Sequence, residues 1–276
     1  MSQTVSPASM GPTLDTEALI SAAVACADAA RPETLRFFRR PDLTAISKED
    51  ARFDPVTEGD RAAERAMRAV LAARRPDDAI LGEEYGTTPG TSGLTWVLDP
   101  IDGTRGYLSG TPTWGVLIAA CDGDRPVVGV IDQPYIGERF IGAPGLAICE
   151  GPQGRATLGT RATERLADAI LYTTFPEVGT EAEGAAFRRV AGQVRLTRYG
   201  LDCYAYALLA AGQIDLVIEA GLQRYDVAAP IAVIEAAGGI VTDWSGGRAD
   251  LGGQVLAAAN PTIHAAALAL LQGGAA

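Results

Sequence analysis

The sequence predicts an α/β protein whose first half is α+β and whose second half is α/β. Three observations carry this. Apolar residues recur at helical spacing in two long stretches before residue 75. Short β-rich runs separated by Gly and Pro turns then occupy Ala79 to Phe140. Strand and helix signals alternate through the rest of the chain.

Residues 1–13, MSQTVSPASMGPT, lack a basic stretch followed by an apolar core and read as a flexible leader, not a signal peptide. From Leu14 to about Arg40, the stripe Leu19, Ile20, Ala23, Val24 and Ala27 predicts an amphipathic helix that Pro32 should kink or interrupt. Thr57 to Arg74 repeats the pattern with Ala63, Met67, Val70 and Leu71, arginines lying opposite. Runs at Ala79–Leu81, Thr95–Leu98, Trp114–Cys121, Val127–Asp132 and Arg139–Ile141 predict a sheet that is at least partly antiparallel. Beyond the Gly/Pro-rich stretch Gly142–Gly159 come Ala169–Thr173, Ala182–Ala191, Val194–Leu196, Cys203–Ala211, Asp215–Ile218, Val227–Ala237, Ile240–Thr242 and Val255–Ala258. Asn260 and Pro261 form an N-cap and first-turn pair for a last helix reaching Leu271. A soft boundary near residue 150 divides 14–150 from 151–276.

Composition narrows the function. The chain has 34 acidic and 23 basic residues, a net charge of −11, so an extended nucleic-acid or anionic-membrane surface is not expected. A single histidine, His264, cannot serve both as imidazole base and in a metal-ligand set, so carboxylates are expected to do any chemistry. Cys26, Cys121, Cys149 and Cys203 form no C-x-x-C pair and read as reduced thiols. No apolar run is long enough to span a bilayer, and a soluble cytoplasmic protein is the expectation.

The most informative segment is Trp96-Val97-Leu98-Asp99-Pro100-Ile101-Asp102-Gly103-Thr104. An apolar strand ends in Asp99, Pro100 blocks further pairing, and Asp102 follows just before a glycine and a threonine. Two aspartates this close repel unless a cation neutralises them or one binds a proton. Oxygen ligands favour Mg²⁺, Mn²⁺ or Ca²⁺ over zinc. Gly103 and Thr104 can open a turn whose N–H groups face an anion. A solvated Asx turn is the plain alternative. Carboxylates recur at element ends in Gly82-Glu83-Glu84, Asp54-Pro55-Val56-Thr57 and Tyr225-Asp226-Val227-Ala228-Ala229. Each alone reads as a cap, and together they suggest one assembled cluster.

These motifs, in this order and through Glu235-Ala236-Ala237-Gly238-Gly239, resemble those of the inositol monophosphatase family over nearly the whole chain. Val130-Ile131-Asp132-Gln133-Pro134-Tyr135, then Gly137-Glu138-Arg139-Phe140, and Tyr199-Gly200-Leu201-Asp202-Cys203-Tyr204 are most similar to its histidinol-phosphate phosphatase branch. The resemblance implies a layered αβαβα sandwich and Mg²⁺-dependent, lithium-sensitive hydrolysis of a small phosphate monoester by a homodimer. It implies two or three Mg²⁺ ions per site, Mn²⁺ being an alternative, held by Glu83, Asp99, the Ile101 carbonyl, Asp102 and Asp226. Asp54 and Thr104 would activate water, and the N–H groups of Gly103 and Thr104 would hold phosphate. For a cationic leaving group, Asp202 and Glu219 are candidate contacts, with Tyr199 and Arg224 nearby in sequence. Alternatives are an inositol-1-phosphate, sugar-phosphate or nucleotide 3′-phosphate phosphatase and, from another class, a noncatalytic scaffold. His264 is expected to be structural.

Overall fold

A computed structural model describes residues 15–41, 43–47 and 55–273. Its elements in order are α1 (Thr16–Phe37), β1 (Ile46–Ser47), β2 (Pro55–Val56), α2 (Glu58–Arg74), β3 (Ala79–Gly82), β4 (Gly86–Thr88), β5 (Leu94–Asp102), α3 (Thr104–Ser109), β6 (Gly115–Asp122), β7 (Arg125–Gln133), β8 (Glu138–Ala143), β9 (Leu146–Gly151) and β10 (Gly154–Thr157). There follow β11 (Ile170–Thr173), α4 (Glu181–Ala191), β12 (Leu196–Tyr199), α5 (Cys203–Ala210), β13 (Leu216–Leu222), α6 (Arg224–Ala236), β14 (Ile240–Thr242), β15 (Gly253–Ala258) and α7 (Pro261–Leu271).

An eight-stranded sheet runs β10-β9-β8-β7-β6-β5-β3-β4, and a five-stranded sheet runs β12-β11-β13-β15-β14. Both are mixed: β3 lies parallel to β5, and β11 lies parallel to β12 and β13, while the remaining pairs are antiparallel. Side chains alternate across a strand, and here both faces are covered. Leu94, Trp96, Leu98, Val116, Ile118 and Val130 meet α1 and α2 on one face. Val97, Leu117, Ala119 and Ile131 meet α5 and α6 on the other, and those helices also cover Val217, Val241, Val255 and Ala257 of the second sheet. The outer face of that sheet, Leu171, Leu216, Ile218, Leu256 and Ala258, is closed by α4 and α7. The result is five layers, helix-sheet-helix-sheet-helix, matching the α/β sandwich expected.

Pro32 does not interrupt α1, which continues to Phe37. Its stripe from Leu19 to Ala30 is buried against α2 and the sheet, which outweighs the ~3 kcal/mol of an interior proline. The Gly/Pro-rich stretch after residue 142 is not merely a connection, because it pairs as the hairpin β9–β10. The central α6 sits unusually close to the large sheet. Gly129 and Gly142 face each other across β7 and β8, and a Cβ at either would collide with the α6 backbone at Ala229, Ala232 or Val233. This paired notch fixes the height of α6, and therefore of its first turn. Cys26, Cys121 and Cys203 are buried free thiols and Cys149 is half-buried. No described helix is long and apolar enough to cross a membrane.

Candidate active site

Asp99 and Asp102 are three residues apart, a spacing that in a regular strand would place them on opposite faces. The structure resolves this with an irregularity. Asp99 pairs with Leu117 and Asp102 with Gly115, so β5 carries one residue more than β6 across that interval. Such a bulge returns both aspartates to the α5/α6 face. It also houses Pro100, which has no N–H for the ladder, so β5 runs on to Asp102 where Leu98 was the expected end. Opposite Asp102, Gly115 leaves room for Cys203, whose Sγ would stand 2.7 Å from a Cβ there. The start of α5 thereby reaches Asp102, and the Cys203 N–H donates to its Oδ2 at 2.7 Å.

Asp226 is the third residue of α6, and its Oδ2 accepts from the Gln223 N–H at 2.6 Å. Oxygens of Asp99, Asp102 and Asp226 all lie within 4.8 Å of one another. Glu83 follows β3, and its N–H donates to the Leu98 carbonyl at 3.1 Å, carrying the parallel pairing to the level of Asp99. The Ile101 N–H donates to Asp99 Oδ1 at 3.1 Å, and the Thr104 hydroxyl donates to the Ile101 carbonyl at 3.0 Å. Gly103 caps α3 at φ 81°, and a Cβ there would also meet the Asp202 side chain at 2.8 Å. Conformation and space both require glycine.

These residues line one cavity of about 590 Å³, together with Asp202, Glu219, Tyr206, Arg105, Phe175 and Glu177. Seven carboxylates face it and Arg105 is the one base among the lining residues. Burial first, then Glu83, Asp102 and Asp226, push the Asp99 carboxyl well above the ordinary range. Asp102 is raised by burial and by Asp226 and Asp202. Asp226 is pushed up to about 7 by burial, against the Gln223 N–H. Buried carboxylates that must take up protons when alone, offering hard oxygens and no nitrogen or sulfur, suit a hard divalent cation. The donor set therefore fits the metal dependence that the sequence implied.

Glu219 lines the same cavity, where its Oε1 accepts from the Thr174 N–H at 2.9 Å and from the Thr174 hydroxyl, and its Oε2 from Tyr206 at 3.0 Å. Burial raises its carboxyl against those bonds. Asp202 precedes α5 at φ 47° without capping it, and burial and Glu219 push its carboxyl up to about 7. Two candidates are not brought to the cavity. Arg224 lies two helical positions, about 200°, from Asp226, and its guanidinium bonds Asp124 at 3.1 Å and the Gly123 carbonyl at 2.9 Å. Tyr199 ends β12 at the sheet edge and is exposed. Asp54 lies outside the described residues. His264 is remote, its Nε2 2.8 Å from the Thr242 hydroxyl. Tyr206 and Thr174 were not singled out from the sequence, since their bonds to Glu219 span 13 and 45 residues.

A profile of the inositol monophosphatase family matches residues 15–274. The chain belongs to the inositol monophosphatase family. Among its relatives, the chloroplastic bifunctional phosphatase IMPL2 of Arabidopsis thaliana is 43% identical over 238 residues, covering 85% of this chain and 67% of the relative. A histidinol-phosphatase of Chlorobaculum parvum is 31% identical over 252 residues, covering 91% and 96%. Among solved structures, an inositol monophosphatase from Zymomonas mobilis superposes with a TM-score of 0.83 at 38% identity, covering 94% of this chain and 99% of that one. Family membership makes this chain a phosphatase of a metal-dependent family that acts on small phosphorylated substrates, and the cavity with its carboxylate cluster is the candidate site.

Proposed function

We propose that this phosphatase hydrolyses L-histidinol phosphate to L-histidinol and phosphate with Mg²⁺, as a step of histidine biosynthesis. Glu83, Asp99, the Ile101 carbonyl, Asp102 and Asp226 would hold the cations. Bound there, Mg²⁺ offsets the carboxylate repulsion, attracts the phosphoryl oxygens and makes a neighbouring water more acidic. The Thr104 hydroxyl proton is committed to the Ile101 carbonyl, so its lone pairs remain to accept from that water and aim it at phosphorus. Asp54 is the proposed acceptor of the water's proton. The N–H groups of Gly103 and Thr104 bind the phosphoryl oxygens as their negative charge redistributes.

The observation that carries the substrate assignment is the half-buried Asp202 carboxylate, beside the phosphate turn and raised by burial and Glu219. In histidinol phosphate the ammonium stands two carbons from the ester oxygen, so its partner has to lie next to that turn. A cation there relieves the Asp202–Glu219 repulsion, whereas inositol has no positive charge to offer. A second reading, inositol 1-phosphate, is supported by Glu219, whose oxygens also suit sugar hydroxyls, and by the Zymomonas mobilis likeness. Purified protein with Mg²⁺ and a panel of histidinol phosphate, inositol 1-phosphate, sugar phosphates and nucleotide 3′-phosphates decides. The expected result is the highest kcat/KM for histidinol phosphate; equal or better turnover of inositol 1-phosphate would overturn the assignment.

A further inference from the structure

The turn that presents Glu83 is gripped from behind by a carboxylate of α2. The Glu64 side chain is wholly buried. Its Oε2 accepts from the Glu84 N–H at 2.7 Å, and its Oε1 from the Tyr85 N–H at 3.2 Å and from Arg68 Nε at 2.7 Å. Arg68 then donates to the Gly86 carbonyl at 2.5 Å and to the Thr88 hydroxyl at 2.9 Å, tying down the start and end of β4. Gly82 belongs to the same device, because a Cβ there would fall on the Glu64 carboxylate.

We propose that Glu64, with Arg68, is a positioning residue that sets Glu83 for cation binding. All three residues of β4 are exposed, so this outer strand buries no apolar surface that could hold the turn. The incoming side of Glu83 is fixed by β5 through its own N–H; the outgoing side is fixed by Glu64. Burying a carboxylate is costly unless its bonds are made, and an apolar residue would fill the space without that cost. What an apolar residue lacks is an acceptor for two consecutive N–H groups directly after Glu83. Partners of this kind orient metal ligands, and losing them weakens metal binding by about 10- to 100-fold.

The proposal rests on the reading that Glu83 holds a cation, and the test separates the two. Mg²⁺ alone is titrated calorimetrically into metal-free protein. Glu64→Gln, whose NH₂ must face one of the former donors, is expected to bind Mg²⁺ about 10- to 100-fold more weakly, with kcat recovering at saturating Mg²⁺. Glu83→Gln is the reference: if it binds Mg²⁺ as the parent does, the metal reading fails. If Glu83→Gln weakens binding and Glu64→Gln does not, the positioning role is overturned. Asp78→Asn controls for general loosening, since Asp78 anchors Arg75, Ser92 and Trp96 at the opposite end of β3. It should lower Tm with Mg²⁺ binding unchanged, and an affinity loss equal to that of Glu64→Gln would also overturn the role. Should Glu64→Gln not fold, Arg68→Gln keeps both backbone bonds to Glu64 and is expected to weaken Mg²⁺ binding several-fold; no change would count against the proposal.

Discussion

Asp99 is the residue on which the carboxylate repulsion converges, with Glu83, Asp102 and Asp226 all raising its carboxyl. Asp99→Asn removes one charge from that set. Metal-free protein should therefore melt at a higher temperature than the parent while losing its Mg²⁺-dependent gain, and kcat/KM should fall at least ~100-fold. Calorimetric melting with and without Mg²⁺ checks both parts, and turnover retained at saturating Mg²⁺ would sink the metal assignment. Asp202 allows an equally clean variant, because asparagine tolerates its φ of 47°. Asp202→Asn should lower kcat/KM for a cationic ester about 10- to 100-fold, the worth of one charge-assisted contact at ~1.5–3 kcal/mol. An ester whose alcohol portion is uncharged should be almost unaffected, and an equal loss on both would refute the ammonium contact. Asp99, Asp102 and Asp226 were legible as candidates because each is tied to a local signal, a strand end or a first helical turn. Glu64 left a fainter one: with Asp60 it occupies the buried stripe of α2, where an acid needs a partner. Arg224 was misplaced because two residues of a helix reverse a side chain's direction.

Elements carry the precision that these side chains need. The cluster closes only because β5 bulges between Asp99 and Asp102 and because α6 settles into the notch of Gly129 and Gly142. Gly129→Ala places a methyl group on the Ala229 carbonyl. Overpacking of this kind costs about 1–3 kcal/mol, and lifting α6 also moves Asp226 from Asp99. The expected outcome is a lower urea midpoint together with weaker Mg²⁺ binding. Normal Mg²⁺ affinity in a destabilised Gly129→Ala protein would show that the notch serves packing alone. Pro100 announced a break in the ladder, yet a proline ends a strand or sits in a bulge with equal ease, and pairing with β6 decided for the bulge. The glycines of β7 and β8 likewise read as ordinary strand residues until α6 is laid across them. The β9–β10 hairpin was hidden by its own Gly and Pro content, and α1 survives Pro32 through contacts with distant strands.

The α/β class was readable from the strand and helix signals and the five-layer arrangement from the family resemblance, and the uninterrupted apolar run from Val116 to Cys121 fits a sheet covered on both faces. The arrangement's electrostatic consequence was readable only in part: the recurring acids of β3, β5 and α6 suggested one cluster, but burial of that cluster together with the acids of α5 and β13 around one cavity is a property of the whole molecule. Folding gathers Asp99, Asp102, Asp202 and Asp226 where each holds its proton more tightly than in the unfolded chain, Asp202 and Asp226 to about 7. Between about pH 4, where an unfolded aspartate titrates, and those raised values, the folded chain carries more protons, so its stability falls as pH rises. Asp60, pushed up to about 7 by burial, adds to this. Asp78, Glu183 and Asp243 are shifted down, so their contribution is lost only below that window. Glu219 and Glu235, also raised by burial, act in the same direction, and His264, lowered by burial, opposes the trend as one imidazole against these seven carboxyls. Metal-free protein should thus melt higher at pH 5 than at pH 8, with Tm falling progressively between them. A cation prefers the ionised cluster and has fewer protons to displace at high pH, so the Tm gain from excess Mg²⁺ should be larger at pH 8 than at pH 5.5. Ligand linkage sets its size, about 2.7 kcal/mol at a hundred times Kd. A metal-free Tm that climbs from pH 5 to 8, or a Mg²⁺ gain identical at both pH values, would mean that these carboxylates are not the group that couples cation, proton and fold.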